Sequence, residues 1–302
     1  MLRLTRLGMR ISAIDPQMIS SGVSHLAAME GMISIRCRSS EARVGLEGAY
    51  VARLTLGGAE VIEPTRDGNQ THGGIAVLMP YAGRIRDGRY VFEGASFSLP
   101  VAEDGSAIHG FAKDSLWRPV AVRRDRVILE CLLEGPGYPG ILDARVTYSV
   151  RPESFSTDCA VTNVGARSCP FVAGFHPYFK AGDWKLSAGG RAYRYELADR
   201  YFPTGERARF SLAKAGPKTS LDDAFRVAGA VRLRDERRTL VITRRRMPYL
   251  VIYNGQHAEG GSVAVEPYTG LDDAYNNGIG LAVLRPGQSL SFGYRVRLVG
   301  RP

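Results

Sequence analysis

From Ile33 onward, apolar residues recur at every second position in short runs, with Gly, Pro, Asn and Asp between one run and the next. Such runs occupy 42–46, 52–56, 120–122, 127–133, 144–150, 156–161, 231–233, 240–243, 249–253, 262–265 and 290–298. A period of two places successive side chains on opposite faces of an extended chain, so each run buries its apolar face only by joining a sheet. No segment carries a long stripe at 3.6-residue spacing, which leaves room for few helices, all short. Many strands separated by turn residues predict an all-β protein, a sandwich or a barrel, rather than alternating β and α units. Gly57-Gly58, Gly73-Gly74, Gly189-Gly190 and Gly260-Gly261 fit hairpin turns and bulges. None has the strand, GxGxxG and helix setting of a phosphate cradle.

No linker-like stretch or internal repeat divides the 302 residues, so residues 32–302 are expected to form one domain. Residues 1–31 are expected to be a loosely attached extension, because the alternation begins only near Ile33. This leader carries Arg3, Arg6 and Arg10, but Asp15, Pro16, Gln17 and Ser20 interrupt it before a secretory apolar core forms. No uninterrupted apolar stretch reaches transmembrane length, so a cytoplasmic protein without membrane attachment is expected. The formal charge of +10 comes almost wholly from scattered Arg, densest at Arg244-Arg245-Arg246. No basic run is interleaved with aromatics and no helix-turn-helix or zinc-knuckle pattern occurs, which argues against nucleic acid as a partner. The four cysteines lack CxxC spacing and a His at zinc-finger distance. Neither a metal site nor another cofactor is expected, and the assembly is expected to be a monomer or homodimer.

The chemistry-bearing residues are two imidazoles and a carboxylate set in apolar, strand-like sequence. His109 lies in Ile108-His109-Gly110-Phe111, where Gly110 permits a close backbone approach or a positive φ. His176 is flanked by Phe175, Pro177, Tyr178 and Phe179, rings suited to stacking on the apolar face of a pyranose. Glu266 ends the apolar run Val263-Ala264-Val265, and a carboxylate there sits either at a rim or at a site that uses its raised basicity. Asp87-Gly88 signals a hairpin, so Arg84 and Arg86 lie close to a turn and one of them is expected to reach a cleft. Asp222-Asp223 and Asp272-Asp273 are expected in loops, mostly solvated. With no GxSxG elbow and no protease-type Cys signature, acid/base chemistry remains where covalent catalysis is not indicated.

Taken in order, these segments resemble the aldose 1-epimerase (galactose mutarotase) family. The resemblance rests on Gly73-Gly74 followed by Pro80-Tyr81-Ala82-Gly83-Arg84-Ile85-Arg86-Asp87-Gly88, on Ile108-His109-Gly110-Phe111-Ala112 with Trp117, and on Gly137-Tyr138-Pro139-Gly140. It continues through Asn163, His176-Pro177-Tyr178-Phe179, Leu221-Asp222-Asp223-Ala224-Phe225, Glu266-Pro267-Tyr268-Thr269-Gly270 and Leu284-Arg285-Pro286-Gly287-Gln288. It implies a large antiparallel β-sandwich, the supersandwich, with a sugar cleft on one sheet. It also implies that Glu266 is the general base on the anomeric hydroxyl and His176 the general acid on the ring oxygen. Arg84, His109, Tyr178 and Asp222 would bind the sugar, and the expected activity is interconversion of the anomers of a free aldose. A hexose-6-phosphate 1-epimerase and a non-catalytic carbohydrate-binding domain are the alternatives on the same scaffold. One position departs from the family pattern. Many members carry Asn directly before the Arg that Arg84 matches, whereas this chain has Gly83, so one side-chain amide contact to the sugar is missing.

Overall fold

The computed structural model describes residues 31–258 and 261–300. The expected N-terminal extension therefore lies, apart from its last residue, outside the described residues.

Two large antiparallel sheets account for most of the chain. The larger has eleven strands, with its main path running Met32–Cys37, Ser40–Gly45, Val51–Leu56, Ile75–Leu78, Gly174–Lys180, Ser262–Tyr268, Tyr249–Tyr253, Asp222–Val227, Ala192–Ala198 and Phe202–Arg209. The smaller has eight, in the order Arg118–Arg123, Arg126–Leu133, Leu142–Arg151, Ser154–Asn163, Ser289–Val299, Thr239–Arg245, Val231–Arg234 and Lys185–Ala188. Apart from Leu46, which lies just past Ser40–Gly45, the alternating runs of the sequence fall in these strands, as the period-two argument requires. Among the described residues the single α-helix is the one-turn Ala274–Asn277.

The sheets meet through large side chains. Phe175 of the larger sheet packs against Phe292 and Tyr294 of the smaller, with ring centroids 6.2 and 5.0 Å apart. Tyr148 crosses the same space to donate its hydroxyl to the Ala49 carbonyl at 2.7 Å, which satisfies a buried polar atom. Burying one face of Gly174–Lys180 in this core turns the other face outward. Pairs Gly174–Tyr268 and Tyr178–Ala264 fix the register of this strand with Ser262–Tyr268, so His176 and Glu266 stand opposite one another on the outward face.

The segment around Asp87-Gly88 does not form the expected hairpin. Arg84–Ile85 pairs instead with Ala107–Ile108, while Arg89–Phe92 pairs with Ala95–Ser98. Asp87 and Gly88 do take positive φ, 53° and 62°, so the turn signal was sound. It redirects the chain between two small sheets because each flanking strand finds a partner further along the sequence.

Candidate active site

His176 and Glu266 open onto a cleft of about 590 Å³ above the middle of the larger sheet. His176 Nε2 lies 3.4 Å from Glu266 Oε1, and the side chains are only 8% and 2% exposed. Two residues along the same strand face, Tyr268 donates its hydroxyl to Glu266 Oε2 at 2.8 Å. Burial raises the Glu266 carboxyl well above its ordinary range, opposed by the Tyr268 hydroxyl, while the Asp222 and Asp272 charges push it further up. Burial also drives the His176 imidazole far below its usual value. Burial thus disfavours the charged form of both partners, pushing the carboxyl up and the imidazole down.

The second imidazole stands edge-on to the first. His109 and His176 ring centroids are 5.6 Å apart at 87°. Its backbone is held in a left-handed conformation, φ 64°, by the donation of its N–H to the Gly83 carbonyl at 2.8 Å. Gly110 follows at φ 64°, the positive φ expected of it, and a Cβ there would stand 2.0 Å from the Met79 carbonyl oxygen, so the close approach is to the protein's own backbone. Burial and the neighbouring His176 keep His109 neutral by pushing its pKa down. The Nδ1 atoms of both His109 and His176 are buried with no hydrogen-bond partner.

Arg84 also lines the cleft. Its Nε donates to Asp104 at 2.9 Å and its guanidinium lies 3.8 Å from the centre of the Tyr201 ring. Arg86 turns away from the cleft to pair with Asp199 over the Phe202 ring. Asp222 opens the strand Asp222–Val227 rather than lying in a loop, and faces the cleft with its carboxyl raised by burial. Its neighbour Asp223 pairs with Arg194 at 2.7 Å.

Two expectations need correction. The rings around His176 do not form one stacking surface, because alternation sends Phe175 and Phe179 into the core. Tyr178 shares the cleft face, but stacks on His176 itself at 4.8 Å and donates its hydroxyl to the Thr71 carbonyl. Its part in the site is therefore to brace the imidazole as well as to line the cleft. Asp272 and Asp273 are likewise not solvated; they are 8% and 7% exposed and hold the Arg84 loop.

Sequence reasoning missed Tyr201, Tyr253, Tyr268, Asp272 and the rim pair His72 and His257, all lining the cleft. Tyr268 was detectable, since it lies two residues after Glu266 in a strand. The rim pair was not, because its rings stack at 3.5 Å across two unrelated turns. Asp67, bonded to His72 Nδ1 at 2.7 Å, completes with these two histidines a group whose possible metal-ligand atoms lie within 4.8 Å of one another. Among the described residues it is the one group with the spacing to hold a metal.

A family model described as aldose 1-epimerase matches residues 32–297. The chain belongs to the aldose 1-epimerase family. Within curated proteins it is similar to the uncharacterised Escherichia coli protein YihR, 25% identical over 279 residues that cover 85% of this chain and 89% of that protein. Among solved structures it resembles a galactose mutarotase-like protein from Lactobacillus casei, with 21% identity, TM-score 0.76 and coverage of 89% and 100% of the two chains. It also resembles a galactose mutarotase-like protein from Clostridium acetobutylicum, with 17% identity, TM-score 0.77 and coverage of 89% and 95%. The fold is thus that of the galactose mutarotase-like proteins, and membership in the family supports a carbohydrate epimerase or mutarotase-like role. No helix among the described residues is long and apolar enough to cross a membrane.

Proposed function

We propose that this protein is an aldose 1-epimerase acting on a free aldose, with Glu266 and His176 as its catalytic residues. The observation that carries this reading is the buried contact of 3.4 Å between His176 Nε2 and Glu266 Oε1 inside a sugar-sized cleft. With a cyclic sugar bound, the ionised pair is the reactive form. Glu266 takes the proton of the anomeric hydroxyl, C1=O1 forms as the C1–O5 bond breaks, and His176 delivers its proton to O5. The pair is then neutral, the form that burial favours. Rotation about C1–C2 presents the other face of the aldehyde, and the same steps in reverse close the ring. Proton transfers balance within the pair, and neither group is consumed.

His109, Arg84 and Asp222 on the cleft wall supply hydrogen bonds to the sugar. A phosphorylated sugar fits less well. Two of the cleft's cations, Arg84 and Lys113, are already paired with Asp104 and Asp114. A binding domain alone would have no use for a carboxyl and an imidazole set against each other with opposed pKa shifts.

Polarimetry on freshly dissolved α-anomers of several free aldoses tests the reading. Faster approach to the equilibrium rotation is expected for at least one of them. No acceleration for any sugar, with folded protein, would overturn it, and preference for a 6-phosphate would move the assignment to the phosphorylated substrate.

A further inference from the structure

Gly83 and Asp272 occupy one another's space. Gly83 takes φ +66°, and a Cβ placed on it would stand 2.5 Å from both Cγ and Oδ1 of Asp272 and 2.6 Å from Oδ2. Any side chain at position 83 would therefore expel the carboxylate. What the glycine admits is a carboxyl that lines the cleft alongside Glu266, Arg84 and Asp222. Asp272 is held there by design of the loop: its Oδ1 accepts the Arg84 N–H at 2.8 Å, and next to it the Asp273 N–H donates to the Arg84 carbonyl at 2.6 Å. A third bond, from the Arg86 N–H to Asp273 Oδ1 at 3.0 Å, locks the two segments together. Among the described residues no cation lies within ion-pair distance of the Asp272 carboxyl and no side chain donates to it, the Asn277 amide bonding only the Asp272 backbone carbonyl. A nearly buried carboxyl left without a side-chain partner and facing a cavity is costly unless something in the cavity supplies the donor.

We propose that Asp272, admitted by Gly83, is a specificity-determining residue that accepts a hydrogen bond from one hydroxyl of the bound sugar, next to the group that Arg84 contacts. The inference rests on the reading of the cleft as a sugar site. It makes this protein selective for sugars that keep a hydroxyl at that position, and intolerant of the corresponding deoxy sugar. Arg84 and Asp272 then grip the sugar as a donor and acceptor pair fixed by one loop contact, while Glu266 and His176 act at C1 and O5.

The test takes the free aldose that binds best from a panel, together with its monodeoxy analogues. Dissociation constants are measured by calorimetry, in parallel with polarimetry, for the wild type and for Asp272→Asn. Asn retains an oxygen for the Arg84 N–H, so the loop contact survives while the charged acceptor is lost. The wild type is expected to bind one deoxy analogue about 10- to 100-fold more weakly than the parent, and that penalty should collapse towards unity in Asp272→Asn. Gly83→Ala, which displaces the carboxylate without changing residue 272, should flatten the same discrimination and covers the case in which Asp272→Asn does not fold. If Asp272→Asn weakens all sugars equally and leaves the deoxy profile intact, Asp272 only positions Arg84 and the inference is overturned. Unchanged binding in both variants overturns it as well, as does failure of every sugar to bind. Selective binding without any mutarotation would leave the specificity role standing and remove the epimerase assignment instead.

Discussion

The proposed acid and base sit on neighbouring strands at the centre of the larger sheet, as Asp222 does on a strand further along it, whereas Arg84, His109 and Asp272 sit on short connections beside the cleft. The two regions are held in place by different means. His176 and Glu266 are placed by a ladder of backbone pairs and by a core on the opposite face of their strands. Arg84, His109 and Asp272 are placed by a short two-residue pairing of Arg84–Ile85 with Ala107–Ile108 and a few loop contacts: the His109 N–H to the Gly83 carbonyl, the Arg84 N–H to Asp272, the Asp273 N–H to the Arg84 carbonyl and the Arg86 N–H to Asp273. A ladder cannot shift by one residue without exchanging its buried and exposed faces, so the reacting pair is over-determined. A loop contact changes with one substitution. Chemistry is thus fixed by the sheet, and the choice of sugar is left to the loops.

Replacing Glu266 with Gln is the harshest way to test that division. The amide keeps the shape and cannot take a proton, so anomer interconversion should slow by roughly 10²–10⁴-fold with circular dichroism unchanged. Rate loss below about tenfold would mean the strand pair is not the reacting pair. The adjacent position Phe175 gives the opposite signature. Phe175→Ala should cost about 3–5 kcal/mol of stability by denaturant unfolding, because it opens a cavity between the sheets, while turnover at low temperature stays close to wild type. A large loss of rate in a folded Phe175→Ala protein would show that the two faces of the strand are not independent.

Tyr268→Phe is a gentler probe. It removes the hydroxyl that lowers the Glu266 pKa, so the carboxyl should hold its proton to still higher pH and the alkaline limb of the rate profile should move up. About a tenfold fall in kcat/KM should accompany the shift. The smallest effect is expected at the loop. Burial pushes the Asp272 carboxyl up to about 7, opposed by the Arg84 N–H and charge, with the Asp222 carboxylate adding to the rise; Glu266 and Tyr268 also face it. A raised carboxyl pKa gives stability that is complete below the unfolded value near 3.8 and is lost as pH rises through about 7. Asp272→Asn should therefore melt at a higher temperature than wild type at pH 8, with the difference vanishing in acid. Equal melting temperatures at both pH values would mean the carboxylate is better solvated than its burial indicates.

The same division explains what the sequence disclosed. Period-two alternation located the strands, and it placed Glu266 on a strand face because strand geometry is local. Which of the aromatics beside His176 would face the cleft also follows from alternation: Phe175 and Phe179 go inward and Tyr178 outward. The Asp87-Gly88 turn was legible, but its partners were not, since Arg84–Ile85 pairs with Ala107–Ile108 across an intervening hairpin. Asp272 was illegible for a related reason. Nothing near position 272 reports that a glycine 189 residues earlier has left room for its carboxyl, because that complementarity exists only once the loops meet.

The central claim is that Glu266 and His176 act as one unit, the carboxylate taking a proton from the anomeric hydroxyl as the imidazolium gives one to the ring oxygen. The direct measurement is the rate of anomer exchange by NMR in Glu266→Gln, in His176→Asn and in the double variant, under identical conditions. Groups that act as a unit give a double variant about as slow as the slower single one. Losses that instead multiply, with each group contributing independently of the other, would contradict the account.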